Sequence, residues 1–392
     1  MKIAIITFGD PNDKKGAFNA THQRIKHLIN RGIETDVFII RYYQNRFVQI
    51  LRKKTYQQEV RDGYFIYDGI KYHNMWIPFA LTDYIQWQKC NQIGAVFLRF
   101  AKKTAKLFEH YDLVSAHSFE PAVIANLANK KFGTPFAVTW HGSDIHTMPY
   151  RNKAVKKVIL DVCNKAALIF FVSRQLQTDA AALGANISNS EVLYNAVNKD
   201  EFKPYPIAKR NALKALNKID GGCNISFIGA LAPVKNCQVL PDVFKKVADS
   251  VQNCKFYFVG DGKLKAMLIE KCKLLELNVV FMGNRPQHEM AGLINCFDLV
   301  VLPSINEGMP LIVLECLSCQ APVVASRVGG IPEVLDDEFT VPPGPDFTER
   351  YTKTILQVLK DSQKKYPALP DVFNWESTAL KEALLYEKVL KR

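Results

Sequence analysis

The fold is decided by the stretch Pro303-Ser304-Ile305-Asn306-Glu307-Gly308-Met309-Pro310-Leu311-Ile312-Val313-Leu314-Glu315-Cys316-Leu317. It follows residues 297–302, an apolar run rich in β-branched residues that predicts a buried parallel strand. Pro303 ends that strand, and Pro310 stands where a helix favours a first residue that lacks an N–H group. From Leu311 onward the residues are apolar over the length of a helix. The stretch therefore predicts a strand, a tight loop and a helix that begins at a sheet edge.

This arrangement predicts an anion site flanked by two acids. The free N–H groups of a helix's first turn, together with the helix dipole, favour a phosphate. Glu307 precedes the helix and Glu315 lies inside it. Carboxylates accept hydrogen bonds from hydroxyls, so the pair fits a sugar–diphosphate–ribose molecule. Glu307 could instead cap the helix, and Glu315 could be a satisfied core acid, although an unpaired acid among its apolar neighbours is costly.

Composition and length favour a two-domain globular protein. The chain has 392 residues, of which 48% are hydrophobic and 23% charged. No apolar run is long enough to span a bilayer, and residues 1–8 predict a first strand rather than a signal segment. Nine cysteines, mostly in apolar surroundings, favour reduced thiols in a cytoplasmic protein.

The positive charge is concentrated in the first half of the chain. Residues 1–200 contain 27 Lys and Arg against 16 Asp and Glu, a net charge of +11, whereas the remainder contains 24 against 22, a net charge of +2. This asymmetry predicts an acidic partner, and without a nucleic-acid motif we expect a phosphorylated acceptor or an anionic membrane surface. Residues 41–54 read as a basic helix with an aromatic face, which suits such a surface or packing on its own domain.

Two histidines occupy strand ends. Residues 3–8, 9–16, 18–31 and 34–40 predict a strand, a glycine-containing loop, a helix ending at Gly32 and a second strand. Two later apolar runs lead to His117 and His141. Because ligands of open α/β sheets bind beyond the carboxyl ends of the strands, both histidines are candidate site residues.

The segment Glu307-Gly308-Met309-Pro310-Leu311, with Glu315 eight residues after Glu307, resembles the E-x7-E motif of the retaining glycosyltransferases of family 4. The resemblance continues through residues 298–304 and 321–334. It implies an α/β GT-B fold, in which two Rossmann-like doubly wound domains face a central cleft that holds a nucleotide sugar.

The resemblance and a proline-containing linker at residues 203–206 together predict the domains. We expect an acceptor-side domain at residues 1–203, on which a C-terminal helix at residues 375–392 packs. Residues 207–374 are expected to form the nucleotide-sugar-binding domain.

The resemblance implies catalytic roles for Glu307 and His141, which would contact sugar hydroxyls, and for Lys235, which would neutralise the donor diphosphate. Glu315 would bind the ribose. The implied donor-binding set is Gly16, Gly229, Lys235, Gly260, Asp261, Gly283, Asn284, Arg285, Glu307, Gly308, Met309, Pro310, Leu311 and Glu315.

Ala230 departs from this pattern, because the family usually has an arginine there that contacts the diphosphate. A methyl group cannot replace a bidentate phosphate contact. Another cation, such as Lys15 or Arg327, would have to substitute, or donor binding or activity would be weaker.

The implied function is transfer of a sugar, with retention, from a UDP- or GDP-linked donor to a glycan or lipid-linked acceptor. This fits surface polysaccharide or lipid-linked glycan assembly by a cytoplasmic protein, peripheral on the inner membrane face. The resemblance implies no protein nucleophile, and the sequence has no D-x-D motif, so we expect no metal or cofactor. Two alternatives stay open: a GT-B nucleotide-sugar epimerase, and a donor-binding relative with weak or no transferase activity.

Overall fold

The structure is a computed structural model that describes residues 1–9, 16–43, 61–219, 222–361, 366 and 369–391. The chain divides into two compact units. The first unit contains Met1–Tyr194 and Trp375–Arg392, and the second contains Asn195–Asn374. None of the described helices has the length and apolar character needed to cross a membrane.

The first unit is built on one sheet. Its described strands are β1 (Lys2–Phe8), β2 (Glu34–Tyr43), β3 (Tyr64–Tyr67), β4 (Ile70–Pro78), β5 (Leu113–His117), β6 (Phe136–Trp140), β7 (Leu168–Phe171) and β8 (Ser190–Val192). They pair in the order β3-β4-β2-β1-β5-β6-β7-β8, and β3 runs antiparallel to β4 while the other pairs are parallel. Every residue of β5, β6 and β7 is buried, as expected of central strands covered on both faces.

Most helices of the first unit follow a strand in the sequence. They are α1 (Gly16–Asn30), α2 (Leu81–Lys89), α3 (Ala95–Thr104), α4 (Phe119–Phe132), α5 (Ser143–His146), α6 (Met148–Arg151), α7 (Lys153–Lys165) and α8 (Arg174–Leu183). The C-terminal helix, Trp375–Leu390, also belongs to this unit, and its residues Ala379, Ala383 and Tyr386 lie in the same hydrophobic core as β1.

The second unit repeats the architecture with a smaller sheet. Its described strands are β9 (Cys223–Ile228), β10 (Cys254–Val259), β11 (Val279–Gly283), β12 (Leu299–Leu302), β13 (Val323–Ser326) and β14 (Thr340–Val341), all parallel and in the order β11-β10-β9-β12-β13-β14. Its helices are α9 (Ile207–Leu216), α10 (Leu240–Ala248), α11 (Lys265–Leu274), α12 (Gln287–Ile294), α13 (Leu311–Ser318) and α14 (Phe347–Lys360), so the C-terminal helix is α15.

Each sheet has one place where the strand order reverses. In the first unit this is between β1 and β5, and in the second between β9 and β12. Open parallel sheets bind ligands at such switch points, beyond the carboxyl ends of the strands. The loops after β9 and β12 are therefore where a ligand of the second unit is expected.

The boundary between the units lies earlier than the linker expected at residues 203–206. Residues from Asn195 onward belong to the second unit, because their contacts are made there. Val197 pairs with Asn374, and the carbonyl of Phe202 accepts a hydrogen bond from Ser318. The prolines near residue 205 follow this boundary instead of marking it.

The helical interpretation of residues 41–54 is wrong at its start. Arg41, Tyr42 and Tyr43 complete β2, where they pair with residues 76–78 of β4. The remainder of that proposed helix, residues 44–54, lies outside the described residues.

Candidate active site

The candidate site of the second unit forms at the switch point of its sheet. A short 3-10 helix, Pro233–Lys235, follows β9, and the loop at residues 303–310 follows β12. The two are joined by a hydrogen bond from the Ile305 N–H to the Val234 carbonyl, at 2.9 Å. Lys235 Nζ donates to Glu307 Oε1 at 2.7 Å. The structure therefore brings together two residues that the sequence placed in one site, and pairs them directly.

The burial of this ion pair is unequal. The Glu307 side chain is 9% exposed, whereas that of Lys235 is 25% exposed. The half-buried ammonium of Lys235 can bind a phosphate, and the buried carboxylate of Glu307 can accept a hydrogen bond from a hydroxyl. The two groups are joined by a hydrogen bond, so both ligand groups would bind at the same place.

Three backbone carbonyls of the Glu307 loop are held from outside. An added Cβ on Gly329 would lie 1.9 Å from the Glu307 carbonyl oxygen, so the two backbones are in contact. The Gly330 N–H donates to the Gly308 carbonyl at 2.7 Å, and Asn195 Nδ2 donates to the Met309 carbonyl at 2.8 Å. These contacts hold residues 307–309 in one conformation, as a preorganised site requires.

Helix α13 starts directly after this loop, one residue later than predicted. Its first residue is Leu311, and Pro310 is its N-cap and makes no side-chain hydrogen bond to the helix. The N–H groups of its first turn remain available for an anion, since neither Pro310 nor Glu307 caps them. The alternative role of Glu307 as a helix cap is therefore not what the structure has.

Glu315 points into the interior and has one described hydrogen-bond partner. Glu315 is 7% exposed, and Gln287 Nε2 donates a hydrogen bond to Glu315 Oε1 at 3.0 Å. Burial raises the pKa of Glu315 to about 7, and the Gln287 hydrogen bond opposes that shift only in part. The acid is thus neither paired with a cation among the described residues nor fully satisfied as an anion.

Three glycines at the carboxyl ends of β9, β10 and β11 form a row of contacting backbones. An added Cβ on Gly260 would lie 2.0 Å from the Gly229 carbonyl oxygen. The Gly260 N–H donates to the Gly283 carbonyl at 2.8 Å. Because a larger residue at 260 would separate these loops, the glycines keep them close together at the carboxyl edge of the sheet.

Two of the polar residues beside these glycines, Asp261 and Arg285, contact the helices that follow them. Asp261 pairs with Lys265 at 2.7 Å, Arg285 Nη1 lies 3.4 Å from Glu289 Oε2, and Asn284 is exposed. The structure therefore leaves the donor-binding role of Asp261, Asn284 and Arg285 as a prediction.

Ala230 is exposed and carries no group that could bind phosphate. Arg327, one suggested substitute for the missing arginine, pairs with Asp337 at 2.6 Å. Lys15, the other, lies outside the described residues. Lys235 is the cation that the structure places beside Glu307.

The candidate site of the first unit centres on two histidines. His117 ends β5 and His141 follows β6, as predicted, and His117 Nδ1 lies 3.3 Å from His141 Nε2. Burial and the charge of Arg24 lower the pKa of His141 to about 3, and burial, Arg24 and His141 lower that of His117 well below its usual range. Both rings are therefore neutral near pH 7. Gly16, the first residue of α1, is exposed.

Buried Asp144 links the loops that carry these histidines. Its carboxylate accepts hydrogen bonds from the backbone N–H groups of His141 and Phe119, each at 3.2 Å. Next to them, Ser118 has φ 78° and ψ −179°, a conformation that glycine mainly adopts. Such strain concentrates at functional sites.

Several residues of the site carried no sequence signal of their own. Gln287 and Asn195 are ordinary polar residues in the sequence, and Gly329 is one of two adjacent glycines. Cys316 of α13 and Cys319, the C-cap residue of that helix, have C-x-x-C spacing. Both cysteines are buried, which raises the pKa of Cys319 to about 12 and that of Cys316 well above its usual range, so they stay thiols.

These features define a protein of two Rossmann-like units, with a cation–carboxylate pair at the switch point of the second. A family model described as Glycosyltransferase Family 4 matches residues 15–201, and one described as Glycosyl transferases group 1 matches residues 222–361. The chain belongs to the GT-B glycosyltransferases of the family 4 type, which confirms the family and fold predicted from the sequence.

Relatives and solved structures agree with this assignment. The chain is 29% identical over 338 residues to the putative teichuronic acid biosynthesis glycosyltransferase TuaC of Bacillus subtilis, covering 84% of this chain and 82% of that protein. It is 26% identical over 279 residues to the N-acetyl-alpha-D-glucosaminyl L-malate synthase of Bacillus anthracis, covering 68% and 70%.

The structures share the fold at low identity. Sucrose-phosphate synthase of Thermosynechococcus elongatus matches with a TM-score of 0.77 at 15% identity, covering 100% of both chains. Anabaena Alr3699/HepE in complex with UDP matches with a TM-score of 0.71 at 19% identity, covering 100% of this chain and 99% of that one.

Proposed function

We propose that this glycosyltransferase moves a sugar from a nucleotide-sugar donor to an acceptor hydroxyl with retention of configuration and without a metal ion. The observation that carries the proposal is the Lys235–Glu307 pair, 2.7 Å apart at the switch point and next to the start of α13. Structures of Anabaena HepE with UDP and with UDP-glucose support a nucleotide-sugar donor.

In this mechanism the second unit stabilises the leaving diphosphate. Negative charge develops on the phosphate as the glycosidic bond breaks. Lys235 Nζ and the N–H groups of Leu311 and Ile312 would stabilise that charge, which is electrostatic catalysis directed at the leaving group. Because these groups supply positive charge, the step needs no metal. Once Lys235 turns to the phosphate, Glu307 is free to accept hydrogen bonds from the sugar hydroxyls.

The acceptor hydroxyl would attack from the side of the leaving group. Its proton would pass to the leaving phosphate oxygen, so no side chain of the protein acts as a nucleophile. His141 would accept a hydrogen bond from a sugar hydroxyl, a role for which its neutral ring is suited. Glu315 would accept hydrogen bonds from the ribose.

The raised pKa of Glu315 predicts pH-dependent donor binding. Only the carboxylate can accept hydrogen bonds from both ribose hydroxyls, and an acid of pKa about 7 is mostly protonated at pH 6. We expect nucleotide-sugar affinity to rise about tenfold from pH 6 to pH 8, as the ionised fraction grows. The charge of a nucleotide sugar's diphosphate is constant over this range. A pH-dependent affinity measured by titration calorimetry therefore reports a titration of the protein and not of the donor. A wild-type affinity independent of pH, or a rise that persists in Glu315→Gln, would contradict the role.

The same shift makes a stability prediction of opposite sign. The folded pKa of about 7 lies above the ordinary glutamate value of 4.5, so the folded protein holds this proton more tightly than the unfolded chain. The contribution of Glu315 to stability is therefore complete below pH 4.5 and is lost as the pH rises toward 7. Bound donor should offset that loss.

The proposed function is tested first by thermal unfolding with UDP-, GDP- and ADP-linked sugars. A ligand of the folded state raises the melting temperature by mass action. We expect one nucleotide class to do so, Lys235→Ala to abolish the shift, and Lys246→Ala, which breaks the surface pair with Glu349, to leave it intact. That donor is then used in transfer assays with EDTA, and NMR of the product gives its anomeric configuration.

The outcomes separate the alternatives. Transfer with inversion would overturn the proposal of a retaining mechanism. Transfer abolished by EDTA would overturn the proposal that no metal ion is needed. Donor binding without transfer would favour the inactive relative, and conversion of the donor sugar without an acceptor would favour an epimerase.

We also propose a lipid-linked acceptor, reached from an anionic membrane surface inside the cell. The net charge of +11 in residues 1–200 supports this partner, as do Tyr64, Ile66, Tyr84 and Ile85, which are all at least 46% exposed. We expect the protein to sediment with anionic phosphatidylglycerol vesicles at low salt and to be released at about 1 M salt, where charges are screened beyond about 3 Å. Vesicle binding that does not change with salt concentration, or equal binding to neutral and anionic vesicles, would contradict electrostatic attachment.

A further inference from the structure

A buried chain of polar side chains connects the C-terminal helix to His141. Tyr386 of α15 contacts Glu382 on its own helix and lies 2.8 Å from Ser115 Oγ on β5. Ser115 Oγ lies 3.5 Å from His117 Nε2, and His117 Nδ1 lies 3.3 Å from His141 Nε2. Glu382, Tyr386 and Ser115 are fully buried, so water does not compete for these hydrogen bonds.

The charge at the far end of this chain is set by Arg24. Arg24 Nε donates to Glu382 Oε2 at 2.9 Å, and the two side chains are 1% and 0% exposed. A guanidinium is always protonated, and a carboxyl beside it is ionised. Glu382 can therefore only accept hydrogen bonds.

Proton counting then fixes the direction of every hydrogen bond. Because Glu382 is an acceptor, the single proton of the Tyr386 hydroxyl must point to Glu382 Oε1. The contact between Tyr386 and Ser115 then needs the proton of Ser115, which leaves Ser115 Oγ as an acceptor.

The two histidines complete the sequence. Ser115 accepts from His117 Nε2–H, so the Nδ1 of His117 carries no proton. The Thr21 hydroxyl, 3.3 Å from that Nδ1, donates to the Ala17 carbonyl at 3.0 Å. His117 Nδ1 is thus left to accept from His141 Nε2–H.

We propose that the Arg24–Glu382 ion pair, acting through Tyr386, Ser115 and His117, fixes His141 as the Nε2–H tautomer and leaves its Nδ1 as a hydrogen-bond acceptor. Nδ1 of His141 has no described hydrogen-bond partner, so its lone pair is available to a donor of hydrogen bonds such as a substrate hydroxyl. Glu382 and Tyr386 are positioning residues, because they act on the ligand only through His141. The tautomer follows from the free protein alone, and only its kinetic consequence rests on the proposed function.

The chain predicts opposite effects for two variants. In Glu382→Gln the amide oxygen faces the Arg24 donor, so the amide nitrogen donates to Tyr386 and every later hydrogen bond reverses. His141 then becomes the Nδ1–H tautomer and presents a donor to the substrate. In Tyr386→Phe the chain is interrupted, so Ser115 is free to rotate and both histidines become mixtures of tautomers.

The test is nitrogen NMR of the full-length protein labelled with ¹⁵N-histidine at pH 7.5, without donor. The resonances are assigned with His117→Asn and His141→Asn. We expect one Nε2–H tautomer for His141 in the wild type, a reversed tautomer in Glu382→Gln and a mixture in Tyr386→Phe. Tyr351→Phe is the control, because it also removes the hydroxyl of a fully buried tyrosine, here one in the second unit that donates to the Val324 carbonyl.

A wild-type His141 protonated on Nδ1, or an unchanged tautomer in both variants, would overturn the proposal. Glu382→Gln could fail to fold because Arg24 loses its charged partner. In that case the His141 tautomers measured in the wild type and in Tyr386→Phe still test the proposal. For transfer, we expect kcat to fall about tenfold or more in Glu382→Gln, with less loss in Tyr386→Phe and none in the control. If NMR shows the predicted tautomers but no donor supports sugar transfer, the tautomer inference stands and the proposed function is refuted.

Discussion

Glu307→Gln is expected to lower the kcat/KM of sugar transfer by about 100- to 1,000-fold, the loss typical of removing one positioned hydrogen-bonding group from an active site. The amide keeps the size of the side chain but cannot accept hydrogen bonds with both of its terminal atoms. Stability should change little. Lys235 is 25% exposed and stays hydrated when its partner is neutral, so we expect a cost of about 1 kcal/mol or less.

The matched control for this variant is Glu349→Gln. Glu349 pairs with Lys246 at 2.6 Å in the same unit, but both side chains are more exposed and lie on α14 and α10, away from the Glu307 loop. Steady-state kinetics and thermal unfolding of the two variants separate catalysis from stability. Glu307→Gln with wild-type turnover, or a control that loses as much activity, would remove Glu307 from the proposed mechanism.

Gly329→Ala should destabilise the second unit strongly and displace the Glu307 loop. The new Cβ would lie 1.9 Å from the Glu307 carbonyl oxygen, a backbone atom that cannot move alone. Positive φ adds about 1–2 kcal/mol, and displacing the loop typically adds about 1–3 kcal/mol. Because the displaced loop carries Glu307, transfer should fall even at temperatures where the protein stays folded.

Gly133→Ala isolates the conformational part of that cost. Gly133 has φ +77° and an added Cβ would meet nothing within 4 Å, so only the left-handed backbone is penalised. We expect it to cost about 1–2 kcal/mol in urea unfolding and to leave transfer unchanged. Gln320 already adopts φ 51° in the second unit, which shows that a side chain tolerates this conformation where space allows. Equal losses in the two glycine variants would mean that the close contact at Gly329 is unimportant.

The sequence by itself was sufficient to predict the fold and the candidate loop. Residues 297–317 predicted a buried strand, a loop and a helix, and the structure has β12, the Glu307 loop and α13 there. These elements depend on the order of apolar, β-branched, proline and glycine residues within short windows, which is local information. The strand-end positions of His117 and His141 followed in the same way. The linker prediction used local composition too, and the boundary between the compact units lies before that linker, because a boundary depends on which residues pack together.

Only the tertiary structure decided which side chains meet. Lys235 and Glu307 are 72 residues apart, and Tyr386 and Ser115 are 271 apart. The order of the strands in each sheet brings these pairs together, and no pattern within a window of sequence encodes that order. Gly329 and Asn195 likewise hold the Glu307 loop only because β13 neighbours β12 and the start of the second unit packs on that loop. The sequence was sufficient to identify the residues that could take part in the chemistry. Their partners and the direction of their hydrogen bonds could be identified only from the tertiary structure.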